Sequence, residues 1–113
     1  MREGDLVLTP IPQANGQVKN RPVLVLREMP PFHDLLVCGV SSQLHQQVSG
    51  FDESITPSDS DFAASGLRTA SLIRLGFLAL LPRRTIIGSI GAIAPDRHAR
   101  LLRSLSEYLI KDL

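Results

Sequence analysis

Two apolar runs, Val23-Leu24-Val25-Leu26 and Leu35-Leu36-Val37-Cys38-Gly39-Val40, constrain this chain more than anything else in it. Each is short, rich in branched side chains and apolar on both faces of an extended strand, the pattern of a strand covered from two sides. Pro22, which lacks an N–H, fits the start of the first run, and Met29-Pro30-Pro31 breaks the chain before the second. Strands are therefore expected from Arg21 to Arg27 and from Asp34 to about Gln43, the latter turning polar at its end as Val40-Ser41-Ser42-Gln43.

Further strands are expected at Asp5 to Pro10, Ala70 to Leu75, Leu78 to Leu81 and Arg84 to Ile93, with a short one near Phe51 to Thr56. Residues Ile11 to Asn20, which hold Pro12 and the turn dipeptide Asn15-Gly16, read as a long mobile loop that delivers Arg21 to the edge of the sheet. Only the C-terminus departs from this pattern. Pro95 suits a first helical position, and Leu101, Leu102, Leu105, Tyr108 and Leu109 recur at helical spacing. Arg97, Arg100 and Arg103 fall on the other face, which is expected to be solvated. Five or six short strands and one amphipathic helix define a mainly β fold, a small barrel closed by a C-terminal helix. A length of 113 residues suits a single domain spanning 1–113 around one core. Strands as apolar as Leu35 to Val40 carry more hydrophobic surface than one helix covers, so a homodimer is expected.

Several function classes are excluded by what the sequence holds. No apolar run approaches the ~18 residues of a membrane-spanning helix, and the acidic start Met1-Arg2-Glu3-Gly4-Asp5 does not read as a secretory signal, so a cytoplasmic protein is expected. Cys38, the single cysteine, lies in an apolar run and reads as a small packed hydrophobe rather than a nucleophile. A net charge of +1 does not suit a protein that coats nucleic acid by charge alone, so any such contact must be local. The five aromatics, Phe32, Phe51, Phe62, Phe77 and Tyr108, are too dispersed for a stacking platform, which leaves recognition to polar groups and Arg. Asp52, Glu53, Asp59 and Asp61 lie in a Ser-rich segment and read as a solvated loop rather than a Mg²⁺ site. His33, His45 and His98 have no metal-ligand spacing, and Gly88 and Gly91 sit in a strand pattern rather than a phosphate-cradling loop. No metal or cofactor is expected.

The order of segments carries a resemblance. Gly4-Asp5-Leu6-Val7, then Arg21-Pro22-Val23-Leu24-Val25-Leu26, then Val40-Ser41-Ser42-Gln43 resembles the MazF/PemK family of toxins from type II toxin–antitoxin pairs. The likeness continues through Ser65-Gly66-Leu67, Ser71-Leu72-Ile73-Arg74 and Ile90-Gly91-Ala92-Ile93-Ala94-Pro95-Asp96, and so covers the whole chain. It implies an SH3-like barrel, a homodimer, a cognate antitoxin as partner and cleavage of single-stranded RNA. By the same resemblance Arg21 is a catalytic candidate, and Ser41 stands where the family usually has a catalytic Thr. Lys19, Asn20, Ser42, Gln43 and His45, their sequence neighbours, are the candidate RNA-contacting residues. The chain departs from the family at Arg74-Leu75-Gly76-Phe77, where many members carry a polar Asp-Gln pair.

These residue types suit a particular chemistry. RNA supplies its own nucleophile, the 2′-OH, so a protein needs to move protons and stabilise charge on the phosphate. The Arg21 guanidinium can donate two parallel hydrogen bonds to phosphate oxygens while remaining charged, and Ser41 adds a neutral donor. His45 is a candidate acid or base near neutral pH. Between Glu28 and Asp52 the only carboxylate is Asp34, so this stretch offers hydroxyl, amide and cationic groups rather than metal ligands. Taken by themselves, Arg21 reads as a cation at a strand end and Ser41 and Ser42 as a turn cap. Two rival readings stay open: a non-enzymatic gyrase poison of the CcdB type, and an inactive barrel kept for binding.

Overall fold

The structure, a computed structural model, describes residues 1–113. Six strands form one antiparallel sheet: β1 (Asp5–Pro12), β2 (Val18–Met29), β3 (Asp34–Ser41), β4 (Glu53–Ile55), β5 (Ser71–Leu81) and β6 (Gly88–Ala92). Their order across the sheet is β4-β5-β3-β2-β1-β6, so the two apolar runs of the sequence, in β2 and β3, occupy its centre. A one-turn helix α1 (Phe62–Ser65) precedes β5, and the C-terminal helix α2 (Pro95–Leu109) starts at Pro95 as its sequence predicts. The sheet curls into a half-barrel over α2, which is the mainly β architecture expected. No helix is long and apolar enough to cross a membrane.

The first hairpin differs from its expected form. Residues Ile11 to Asn20 are not a long loop: β1 and β2 stay paired out to Pro12↔Val18, leaving only 13–17 to turn. Gln13 donates its backbone N–H to Gln17 O at 2.7 Å, and Gln17 N–H is capped by Asn15 Oδ1 at 3.0 Å. Strand alternation then aims the N atoms of Pro10 and Pro12 away from β2, toward an edge that β6 leaves at Leu8, so neither proline interrupts the ladder. Pro22 likewise lies inside β2 rather than at its start. β5 is one strand instead of two, and the expected strand from Arg84 is shortened to β6 by a 3₁₀ turn at Arg83–Thr85. The one-turn α1 was not foreseen within the Ser- and Asp-rich segment.

Alternation along the strands divides the interior in two. Leu6, Leu24, Leu26, Cys38, Ile73 and Leu75 face α2, where Leu101 and Leu105 complete the main core. Val7, Val23, Val25, Leu35 and Val37 face the other way and are covered by Ile11, Ala79, Leu81 and Ile86 of the same chain. The second apolar face of β2 and β3 is therefore closed internally, and it does not itself call for a partner subunit.

Two expectations about charge are reversed. Arg97 is buried rather than solvated, and Asp61, read as a loop carboxylate, is buried with it. Arg97 Nε and Nη2 donate to the two Asp61 oxygens at 2.8 and 3.0 Å, while Nη1 reaches Glu53 Oε1 and Ser54 O, each at 3.0 Å. Asp61 also accepts the Ala94 N–H at 3.0 Å, satisfying a free donor just before α2. Arg100 binds Glu53 from the outside. Arg97 thus ties α2 to β4 and to the start of α1, and its hydrogen bonds to Asp61 hold that carboxyl below the usual carboxylate range. Asp52 is buried too, accepting from Val48 N–H at 2.9 Å and Leu75 N–H at 3.0 Å.

Where α1 meets β6 the backbones touch. A Cβ at Gly91 would lie 2.2 Å from Ala64 O, and one at Gly66 would lie 2.0 Å from Ile90 O. Gly66 also has φ +75°, closed to most L side chains. Gly91→Ala should therefore cost roughly 3 kcal/mol or more in urea unfolding, since backbone must move. Gly88→Ala, where a Cβ meets nothing within 4 Å, should shift the midpoint little. The Arg97–Asp61 pair makes a pH prediction. Because Asp61 titrates lower when folded, its contribution is complete above its ordinary value of 3.8 and is lost as pH falls through the folded value. Asp61→Asn should lower stability at pH 7 and flatten this acid limb in denaturant midpoints measured from pH 6 downward.

Candidate nucleic-acid interface

β2 carries two partners only along part of its length. It pairs with β3 as far as Val23↔Gly39, and the next residue, Pro22, has no N–H to continue that ladder. Beyond this point β2 stays with β1, whereas β3 stays with β5 through Ser41↔Leu72. The two pairs part, and between them opens a cavity of about 270 Å³. One bank is formed by Ile11, Gln13, Arg21 and Pro22; the other by Gly39, Val40, Ser41, Ser42, Gln43, Arg74 and Phe77.

The second bank owes its shape to an irregularity. Cys38 pairs with Leu78 but Gly39 with Arg74, so three residues of β5, Leu75, Gly76 and Phe77, are accommodated opposite a single step of β3. The displaced Leu75 N–H goes to buried Asp52 Oδ1 instead of to β3. This carboxylate, placed in a solvated loop by sequence reasoning, is thus a buried support of the groove wall.

Within the groove, Arg21 Nη2 donates to Gln13 Oε1 at 3.1 Å, which directs the guanidinium across the mouth of the hairpin turn. Ser41 Oγ accepts the Gln43 N–H at 3.0 Å. The turn cap foreseen for this serine is present, and the same bond leaves its O–H free to donate. The ion-paired arginines are Arg27, Arg83, Arg97 and Arg100; neither Arg21 nor Arg74 has an acidic partner. The lining holds two guanidinium groups, two hydroxyls and two amides, and no carboxylate. Such a surface suits an anion bearing several oxygen acceptors, as a phosphodiester does.

Of the residues singled out by sequence, Arg21, Ser41, Ser42 and Gln43 come together here. Lys19 shares the strand face of Arg21 but pairs with Ile11 farther along the hairpin, outside the cavity lining. Asn20 alternates to the opposite face. His45 is exposed in a 3₁₀ turn at Leu44–Gln46 and does not line the groove. Gln13, Arg74 and Phe77 were missed as site residues. Arg74 and Phe77 bracket the stretch that departs from the family pattern, a signal pointing to them; Gln13 gave none. Phe77 also amends the expectation that no aromatic takes part. A second ionic cluster, where His33 and Arg83 both bind Glu28, sits at the far end of the β2–β3 hairpin. No group of three His, Cys, Asp or Glu side chains comes close enough to hold a metal ion.

The fold agrees with comparison to known proteins. Residues 2–109 match the family described as PemK-like, MazF-like toxin of type II toxin–antitoxin system, and the chain belongs to that family. The solved structure of the Mycobacterium tuberculosis toxin MazF-mt6 superimposes with a TM-score of 0.69, covering 96% of this chain and 99% of that one at 17% sequence identity. At that identity the likeness is one of fold. No curated protein matches by sequence. Toxins of this family are generally endoribonucleases, and a type II system implies an antitoxin as partner.

Cys38 lies directly beside Gly39, beneath the groove, and burial followed by the charge of Asp52 pushes its thiol up to about 12. It should stay protonated and unreactive toward iodoacetamide at pH 8 in the native protein, and alkylate once urea unfolds the chain. Rapid native labelling would contradict its place in the core.

Proposed function

We propose that this toxin, acting as one domain over residues 1–113, is a metal-independent endoribonuclease that cleaves single-stranded RNA in the groove between the two hairpin banks. The observation that carries this reading is the convergence of Arg21 and Arg74, neither engaged by an acid, with Ser41 on one cavity that no carboxylate lines. Arg21 binds the scissile phosphate through two parallel N–H donors and stabilises the charge that grows on it during attack. Ser41 donates its free O–H to the same phosphate, while Ser42 and Gln43 contact the strand beside it. Groups of this kind stabilise a pentavalent phosphorus well and activate water poorly, so the neighbouring 2′-OH is the attacking group. Attack forms the 2′-O–P bond and breaks the P–O5′ bond, leaving a 2′,3′-cyclic phosphate on one fragment and a 5′-OH on the other.

Lys19 and His45 lie outside the cavity and would meet RNA only as it leaves it. Asn20, on the opposite face, is not retained as a contact. The antitoxin would act by covering or distorting this groove. A homodimer remains part of the proposal, and Leu78 and Leu80 of β5, 41% and 57% exposed, give it an apolar surface. Sedimentation at micromolar concentration should show a dimer; a monomer would remove this part.

Purified protein should cut a long RNA in EDTA. Cutting should stop when the nucleotide 5′ to the cleavage site is made 2′-deoxy or 2′-O-methyl. Robust cutting of that blocked substrate, or strict dependence on Mg²⁺, overturns the mechanism; no cutting of any RNA favours a binding-only barrel. Arg21→Lys keeps the charge but loses the two-pronged geometry, so cleavage should fall steeply while RNA affinity weakens only modestly. Ser41→Ala should lose roughly 1 to 3 kcal/mol of transition-state stabilisation. Wild-type rates in both variants would place the active site elsewhere.

A further inference from the structure

We infer that Phe77 is a stacking platform for one RNA base, set beside the phosphate-binding arginines. This rests on the reading of the groove as an RNA site.

Phe77 contributes nothing to the core. Phe51 and Phe62 pack against the main apolar cluster, whereas Phe77 belongs to neither cluster and is 43% exposed. It is nonetheless held in place. A Cβ at Gly39 would lie 3.0 to 3.2 Å from Phe77 Cδ1, Cγ and Cβ, so the ring occupies space that any other residue at 39 would claim. Gly39 belongs to β3 at the last pair before the strands part, which puts the ring on the groove wall. The three-residue irregularity of β5 brings it there, supported from below by the Asp52–Leu75 bond.

The surroundings of the ring select its ligand. Arg74 shares its bank and Arg21 lies on the opposite one, neither engaged by an acid, together with the hydroxyls of Ser41 and Ser42. An apolar peptide side chain would leave two cations facing it uncompensated. A nucleotide brings an anion and a flat π surface joined by a short linkage, and so satisfies both parts of the wall. Stacking tolerates any base, so Phe77 contributes affinity and positioning, and larger purine surfaces gain more than pyrimidines. Phe77 touches no reacting atom; it is a positioning residue that seats a base so that the adjoining phosphate meets Arg21.

The chain has no tryptophan, so Phe77→Trp installs a single indole, excitable selectively over Tyr108, at the proposed contact. Titration with a random-sequence 2′-O-methyl RNA pool, which resists cleavage, should quench its emission. An oligomer of abasic sugar-phosphates, which carries the charge without the bases, should bind without quenching. Phe77→Leu keeps apolar cover over Gly39 but removes the π face. It should weaken binding of the base-containing pool on the order of tenfold by anisotropy and leave abasic binding unchanged. The expected pattern is quenching by bases together with a base-dependent loss in the leucine variant.

Equal affinity of wild type and Phe77→Leu for the RNA pool overturns the platform while leaving the groove as an RNA site. Quenching produced by an acidic amphipathic peptide and not by RNA would assign the ring to a protein partner, and also overturns it. Failure of the wild-type protein to bind the pool at all would overturn the RNA reading, and this inference with it. Circular dichroism of both variants separates these outcomes from misfolding. Should Phe77→Leu be misfolded, the tryptophan variant decides alone, absence of base-dependent quenching being the negative result.

Discussion

The guanidinium of Arg97 is the point on which the curled sheet depends. It joins three separate stretches of chain, α2, β4 and the segment leading into α1, through hydrogen bonds to Asp61, Glu53 and Ser54. A buried ion pair carries a desolvation penalty that its Coulomb attraction only partly offsets, so its net contribution to stability is small. Breaking it is another matter, because Asp61 would be left charged and unpaired away from water. What the pair supplies is a set of directed bonds, through which α2, β4 and the approach to α1 meet at one guanidinium. With β4 fixed, β5 is fixed beside it, and with β5 the wall that carries Arg74 and Phe77.

From that anchored wall the groove follows by backbone chemistry. A regular sheet would keep β2 and β3 paired to their ends and present no cleft. Here Pro22 withholds a donor on one strand, and the step from Cys38 to Gly39 meets three additional residues on the next. The resulting gap leaves polar side chains at a place where the ladder no longer needs them. Asp52 takes up the backbone N–H released by the irregularity, and no buried side-chain polar atom goes unsatisfied. Local breaks in regularity, each with its hydrogen bonds made good nearby, are a common way for a small β fold to acquire a concave surface.

Much of this was legible in the sequence. The central strands announced themselves through Val23 to Leu26 and Leu35 to Val40, and Pro95 marked the helix start. Arg21 and Ser41 were legible because they stand at the polar ends of those apolar runs, and the family resemblance gave their position meaning. The misjudged features share one cause, long-range pairing. Arg97 looked solvated because nothing local reveals Asp61, 36 residues earlier. Pro10 and Pro12 suggested a loop because their harmlessness depends on which edge β6 vacates. Asn20 sits next to Arg21 in sequence and, by the two-residue period of a strand, on the other side of the sheet. Arg74 and Phe77 entered the groove through a register shift that no periodicity announces.

The parting of the strands also bears on mechanics. On one side of the groove Ser41 and Arg74 ride on β3 and β5, which are embedded in the six-stranded sheet. On the other side Arg21 and Gln13 ride on the end of a two-stranded ribbon that has lost its third strand on one flank and β6 on the other. A ribbon so released is far more compliant than the sheet it springs from. Any change in groove width would fall first on the ribbon, whose outer end pairs on one side only. Under the proposed reading, an RNA strand in the groove would meet one bank held by a two-stranded ribbon and one bank fixed in the six-stranded sheet.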